Sequence, residues 1–183
     1  HLGFRPDDPA KLAFVSCWMG KGGGVSYQPG TPFHLLDHAT GATVFSGKLL
    51  EVRRDRVRLP DGGEATREFV VHPGAVLIVP VLPDGRLVLE RQFRYPVKRV
   101  MLEFPAGKID AGETPLATAQ RELVEEAGYA AERWKPLGTI HPEIGYSTEF
   151  IDLFEATGLA HVGSRLDEGE FLDIVAMTED ELL

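Results

Sequence analysis

The stretch from Gly107 to Tyr129 constrains this chain more than any other part, because it specifies a helix and then crowds that helix with acid. Thr114 before Pro115 marks the start: a hydroxyl that caps the first turn, followed by the one helical position where a missing N–H costs nothing. Gly128 supplies the stop. At about 100° per residue, Glu126 lies about 40° to one side of Glu122 and Glu125 about 60° to the other, so three carboxylates share one face. Such a cluster repels itself. A solvated face normally interleaves Lys or Arg at i+4, and here only Arg121 does so, toward Glu125. Hard divalent cations bound through oxygen remove the repulsion directly, and magnesium, which takes one or two carboxylates together with waters and phosphate oxygens, suits carboxylates facing an open cleft. Gly107 opens the loop before the helix, where the missing side chain lets backbone approach a metal or phosphate. Glu113, at the helix start, is expected to orient Arg121 or the loop rather than to bind metal.

Composition bounds the rest. The 183 residues, 43% apolar, suffice for one compact domain or a domain with a small extension. A single cysteine, Cys17, forms no internal disulfide and lies outside every motif, which points to a cytoplasmic protein. The longest apolar run, Ala75 to Leu82 with Pro80 inside it, is too short to span a membrane, and Asp7 and Asp8 argue against a signal peptide. A net charge of -9 argues against nucleic acid as a main partner. It does not exclude a small anionic substrate, because a local cluster such as Arg91, Arg94, Lys98 and Arg99 supplies positive charge where needed.

Three parts follow along the chain: an irregular arm over residues 1–38, a small antiparallel sheet over 39–72, and an α/β domain over 73–183. The arm is rich in Gly and Pro and carries no chemistry. The sheet is read from strand-like runs at Val44–Val52, Arg56–Leu59 and Thr66–Val71, broken by Arg54-Asp55 and by the turn Pro60-Asp61-Gly62-Gly63. In the third part, Val76–Val81 and Leu87–Gln92 around Pro83-Asp84-Gly85 read as a hairpin. The acidic helix follows, then strands near Leu137–His141, Phe150–Ala156 and Phe171–Met177, and a last helix from about Thr178.

The order Gly107, Glu113, Arg121-Glu122-Leu123, Glu125-Glu126, Gly128 with these spacings resembles the complete Nudix signature. At roughly 7% abundance per residue type, the seven fixed polar or Gly positions among these coincide by chance in about one window in 10^8. The resemblance implies an α/β/α sandwich with a mixed sheet, and a Mg2+-dependent hydrolase, with Mn2+ as a possible substitute, acting on a nucleoside-linked diphosphate. It also implies a metal site of Glu122, Glu125, Glu126 and the carbonyl of Ala106, with Arg121 among the catalytic residues.

A closer likeness is to the ADP-ribose pyrophosphatases. Leu89-Glu90-Arg91-Gln92-Phe93-Arg94-Tyr95-Pro96 and Leu102-Glu103-Phe104-Pro105-Ala106-Gly107 are similar to the approach to the signature in those enzymes. His141-Pro142-Glu143-Ile144-Gly145-Tyr146-Ser147-Thr148-Glu149 resembles their Pro-Gly-x-Ser-x-Glu segment, with Glu143-Ile144 separating Pro142 from Gly145. By that resemblance Arg94 grips a phosphate, Glu103 holds ribose or the loop, and Arg67 and Glu68 fall where an Arg-Glu pair meets adenine. Phe45 is a candidate to stack on that base. The upstream sheet would build a homodimer and part of the nucleoside pocket. Asp167-Glu168-Gly169-Glu170 is similar to the acidic loop that supplies a general base. Glu168 is favoured, Glu149 and Glu170 are alternatives, and Glu170 is also a possible metal ligand. His141, the histidine nearest these motifs, is read as structural. Three activities are open: hydrolysis of ADP-ribose to AMP and ribose 5-phosphate, cleavage of another derivative such as GDP-mannose or NADH, and a non-catalytic sensing module. Retention of every signature glutamate ranks the last one lowest.

Overall fold

The computed structural model describes residues 34–35, 41–59, 61–166 and 171–182. The arm up to residue 33 and the acidic segment Asp167-Glu168-Gly169-Glu170 lie outside the described residues. Strand β1 (His34–Leu35), within the expected arm, pairs antiparallel with β3. Strands β2 (Ala42–Ser46), β3 (Glu51–Arg58) and β4 (Glu64–Val71) complete a four-stranded antiparallel sheet centred on β3.

Two details of this sheet differ from the sequence reading. The run Val44–Val52 is two strands, because Gly47 N–H donates to the Leu50 carbonyl at 2.8 Å and closes a turn. Arg54-Asp55 is not a break. In the ladder Arg54 faces Glu68 and Asp55 faces Arg67, so charges that suggested a loop are placed opposite their complements across two strands.

The larger part carries two further sheets. One is mixed, in the order β8 (Ala106–Lys108), β5 (Ala75–Pro80), β10 (Ile151–His161), β9 (Tyr129–Ile140), with β5 and β10 parallel. The other is antiparallel, in the order β11 (Leu172–Met177), β6 (Leu87–Arg94), β7 (Arg99–Glu103). The expected hairpin of β5 and β6 is therefore only a turn: Leu82 N–H donates to Arg86 O at 2.8 Å and Val81 bridges Leu87, after which the strands part into different sheets. Each then finds its own neighbours. The space opened between them is a cleft reached by Val76 and Leu77 from one side and Leu89, Gln92 and Arg94 from the other.

Helix α1 (Pro115–Glu125) lies against the mixed sheet. Thr114, extended at φ -89° and ψ 152°, accepts the Ala117 N–H on its hydroxyl, and Pro115 opens the first turn as expected. Gly128 ends the helix at φ +74°, its N–H donating to Val124 O at 3.1 Å, and a Cβ there would also crowd the Ser164 backbone. The inward face buries Ala119 and Leu123 completely against Val76, Ile78, Phe154 and Ala156. Burying a leucine of this kind stabilises by about 1.5–3 kcal/mol. That core holds the acidic face of α1 toward the cleft. A one-turn helix α2 (Glu179–Leu182) follows β11, and its Leu182 lines the cleft. Among the described residues no helix is long and apolar enough to cross a membrane.

Candidate active site

Two cross-links assemble the acidic face. The Ala106 N–H donates to Glu126 Oε2 at 3.1 Å, tying the start of the signature to the end of its helix. Arg121 forms the second link. Its Nε and Nη2 grip Glu113 Oε1 and Oε2 at 3.1 and 3.0 Å, and its Nη1 reaches Glu122 Oε1 at 2.8 Å and Glu125 Oε2 at 2.9 Å. This paired grip, with a further hydrogen bond from the Thr118 hydroxyl, holds the Glu113 carboxyl down to about 2 from its ordinary 4.5. The same contacts raise the Arg121 pKa. Glu113 thus orients Arg121, as expected, and Arg121 in turn offsets the repulsion between the helix carboxylates.

Gly107 is required by space. A Cβ on it would overlap the Glu122 carboxylate, so any side chain would push that group out of place.

The opposite wall is made by β6 and β7. Arg94 forms a two-pronged ion pair with Glu103, Nε to Oε1 at 2.8 Å and Nη2 to Oε2 at 2.7 Å. That pairing raises the Arg94 pKa, with the charges of Glu90 and Glu126 adding to it. Of the basic cluster read from sequence, Arg94 alone lines the cleft among Arg91, Arg94, Lys98 and Arg99, while Lys98 sits over the exposed Tyr95 ring.

The cleft measures about 940 Å³, at the upper end of the range for small-molecule sites. It brings together Arg94, Glu103, Ala106, Gly107, Arg121, Glu122, Glu125, Glu126 and Glu149. It does not include Arg67 or Glu68. Arg67 donates to the neighbouring Thr66 carbonyl, and Glu68 is paired with Arg54 at 2.7 Å on the exposed face of the upstream sheet. Phe45 is likewise exposed on β2 and absent from the cleft wall. Glu168 and Glu170 lie outside the described residues.

Sequence reasoning missed other members of the wall. Gln92, Lys108 and Asp110 line it beside residues that were singled out, and their neighbourhood to Arg94 and Gly107 was the available signal. His72 is a different case. The histidine that lines the cleft is His72 and not His141, and it arrives through the link between β4 and β5, far in sequence from the other residues.

Among the described residues, no three histidine, cysteine or carboxylate side chains converge into a ready-made metal cage. The donor chemistry nevertheless fits a hard cation that takes few protein ligands and keeps waters: the groups are oxygen donors, they share one helix face, and Gly107 leaves the approach to Glu122 open.

The comparisons with known proteins agree with this architecture. Residues 71–183 match the model of the NUDIX domain, and residues 42–70 match the nucleoside diphosphate sugar hydrolase N-terminal domain. The chain belongs to the Nudix family. Within that family it is 39% identical over 142 residues to the methanol dehydrogenase activator of Bacillus methanolicus, covering 76% of this chain and 77% of that protein. It is 37% identical to the ADP-ribose pyrophosphatase of Bacillus subtilis (strain 168), with the same coverage. The ADP-ribose pyrophosphatase of Mycobacterium tuberculosis (strain ATCC 25618 / H37Rv) is 41% identical over 131 residues, covering 71% of this chain and 63% of that one. A crystal structure of an ADP compounds hydrolase superposes with a TM-score of 0.73 at 26% identity, covering 87% of this chain and 83% of the other. This is a Nudix hydrolase similar to the ADP-ribose pyrophosphatases, with the mixed sheet, helix and small N-terminal antiparallel sheet expected of it.

Proposed function

We propose that this Nudix hydrolase cleaves ADP-ribose to AMP and ribose 5-phosphate in a magnesium-dependent reaction, with manganese as a substitute. The observation that carries the reading is the pairing of two walls in one cleft: the carboxylates of Glu122, Glu125 and Glu126 on α1 face the same space as Arg94 on β6. One wall suits cations and the other suits phosphate, which is what a diphosphate needs. Glu122, Glu125, Glu126 and the Ala106 carbonyl would hold the metal, with Glu170 as a further ligand. When bound, it neutralises the diphosphate and lowers the pKa of a coordinated water.

The chain's own groups do the rest. Arg94 is pre-paired with Glu103, so its guanidinium is already held in the cleft, and a phosphate arriving there meets an oriented donor rather than a mobile one. Glu103 keeps that donor in place or meets the ribose. Arg121 spaces the helix carboxylates through Glu122 and Glu125. Glu168 takes the proton from the attacking water, and Glu149, which lines the cleft, is the alternative. Two subunits form a homodimer in which the upstream sheet, with Arg67 and Glu68, completes the nucleoside pocket of the neighbour. This reading is supported by exposed Val44 and Phe45 on β2 and Leu49 and Leu50 in the turn after it, and by the absence of Arg67 and Glu68 from the lining of the cleft of their own subunit.

The names of the relatives favour ADP-ribose among nucleoside diphosphate derivatives. The test is a panel of ADP-ribose, GDP-mannose and NADH incubated with the purified protein and Mg2+, with the products separated by chromatography. ADP-ribose is expected to be consumed fastest and to yield AMP and ribose 5-phosphate. Faster cleavage of another member would move the assignment to that substrate. Binding of ADP-ribose without turnover would make the protein a sensing module.

A further inference from the structure

We propose that His72 is a positioning residue for the Glu149 carboxylate, delivered to the cleft by the link between the upstream sheet and the hydrolase domain. The proposal rests on the reading of this cleft as the active site.

The link from Val70 to Ala75 is stitched to residues 146–150 by main-chain bonds. Val70 N–H donates to Tyr146 O at 2.8 Å, Thr148 N–H to Val70 O at 3.0 Å, and Ala75 N–H to Phe150 O at 2.9 Å. The Thr148 hydroxyl closes the stitch from both sides, accepting the His72 N–H at 2.9 Å and donating to the His72 carbonyl at 3.3 Å. These bonds use backbone of His72 and would survive a change of its side chain.

The side chain has a separate task. Gly74 N–H donates to His72 Nδ1 at 3.2 Å, so in the neutral ring the proton sits on Nε2. Gly74 is held to this role by its backbone at φ +98°, and a Cβ there would overlap the Phe150 ring. Nε2, the nitrogen that carries the proton, lies 3.7 Å from Glu149 Oε1. At that separation the contact is electrostatic or bridged by water rather than a direct hydrogen bond.

Both side chains are largely shielded, at 17% and 26% exposure, so the attraction is less screened than on the surface. The main chain of Glu149 is held independently, with its N–H donating to Ser147 Oγ at 3.1 Å and its carbonyl 3.2 Å from His141 Nδ1. With the backbone pinned by Ser147 and His141, the orientation of the carboxylate within the cleft is what the His72 ring decides.

The test compares H72L, H72Q, E149Q and the H72L/E149Q pair on ADP-ribose with Mg2+, alongside ring nitrogen NMR of the unmodified protein and of E149Q. Glutamine keeps an N–H near the Nε2 position and leucine does not. H72L is expected to lower kcat about tenfold, a fraction of what a positioned acid or base contributes. KM should stay within about twofold, because the ring does not grip substrate. H72Q should recover most of the loss, and the pair should be no slower than E149Q alone. The ring of His72 should show its proton on Nε2, with a resonance that moves in E149Q. Wild-type kcat in H72L or in E149Q, an H72Q as slow as H72L, losses that multiply in the pair, or a proton on Nδ1 would each overturn the proposal. The NMR result does not depend on turnover. If ADP-ribose is not cleaved, the substrate assignment fails on its own while the ring proton and its response to E149Q still decide the contact.

Discussion

The signature segment and the upstream sheet solve opposite problems. From Ala106 to Gly128, helix α1 buries Ala119 and Leu123 in the domain core, and its charged groups are tied to one another over short sequence distances through Arg121 and the Ala106 N–H. The sheet formed by β2, β3 and β4 buries a single hydrophobic residue in this chain, Val57 at 7% exposure, and its ion pairs Arg54–Glu68 and Arg56–Glu64 are open to solvent. Exposed pairs of that kind contribute about 0–1 kcal/mol each. The first region carries its own geometry. The second is short of core and leaves Val44 and Phe45 exposed. The proposed function accordingly assigns chemistry to the helix side of the molecule and substrate selection to the sheet side.

The contrast is tested most severely at Glu126. E126Q keeps an acceptor for the Ala106 N–H, so circular dichroism and thermal unfolding should be unchanged while kcat falls by at least about 100-fold, as expected when a metal carboxylate is neutralised. Full activity at saturating Mg2+ would remove α1 from the chemistry. G107A should come next, with a loss of about 10-fold to 100-fold in kcat/KM from displacement of the Glu122 carboxylate, measured by steady-state kinetics. The smallest effect belongs to the sheet. R67A should raise KM for ADP-ribose by only a few-fold, roughly one peripheral contact's worth, with kcat intact. Light scattering should report a dimer, and a fully active monomer at micromolar concentration would break the assignment of this sheet to selection.

How much was legible in the sequence follows the same divide. The helix, its Thr114 cap, its Gly128 stop and the Arg121–Glu125 contact are properties of neighbouring residues, so spacing alone reveals them. The Glu113–Arg121 link was legible for the same reason. Long-range pairing was not. β5 and β6 share a turn that reads as a hairpin, yet β5 takes β10 and β8 as partners from further along the chain, and β6 pairs with the following β7 and the distant β11. Glu90 shows the limit of alternation: Val88, Leu89 and Glu90 are all buried, so a period of two misplaces a carboxylate that lies in the interior. The Arg94–Glu103 pair was named residue by residue but not as a pair, because the register sets Arg94 against Arg99 and Glu103 against Glu90, and the two side chains meet along the strands rather than straight across them. His72 was invisible because its place depends on the stitch between residues 70–75 and 146–150.

Water attack on a diphosphate in the cleft between α1 and β6 can be followed by running the reaction on ADP-ribose in 18O-labelled water, with Mg2+ and with EDTA, and weighing the products by mass spectrometry. AMP and ribose 5-phosphate are expected, with one label on the phosphate of one product and no turnover in EDTA. Release of ADP and ribose with the label on the ribose C5 oxygen, or turnover untouched by EDTA, would contradict it.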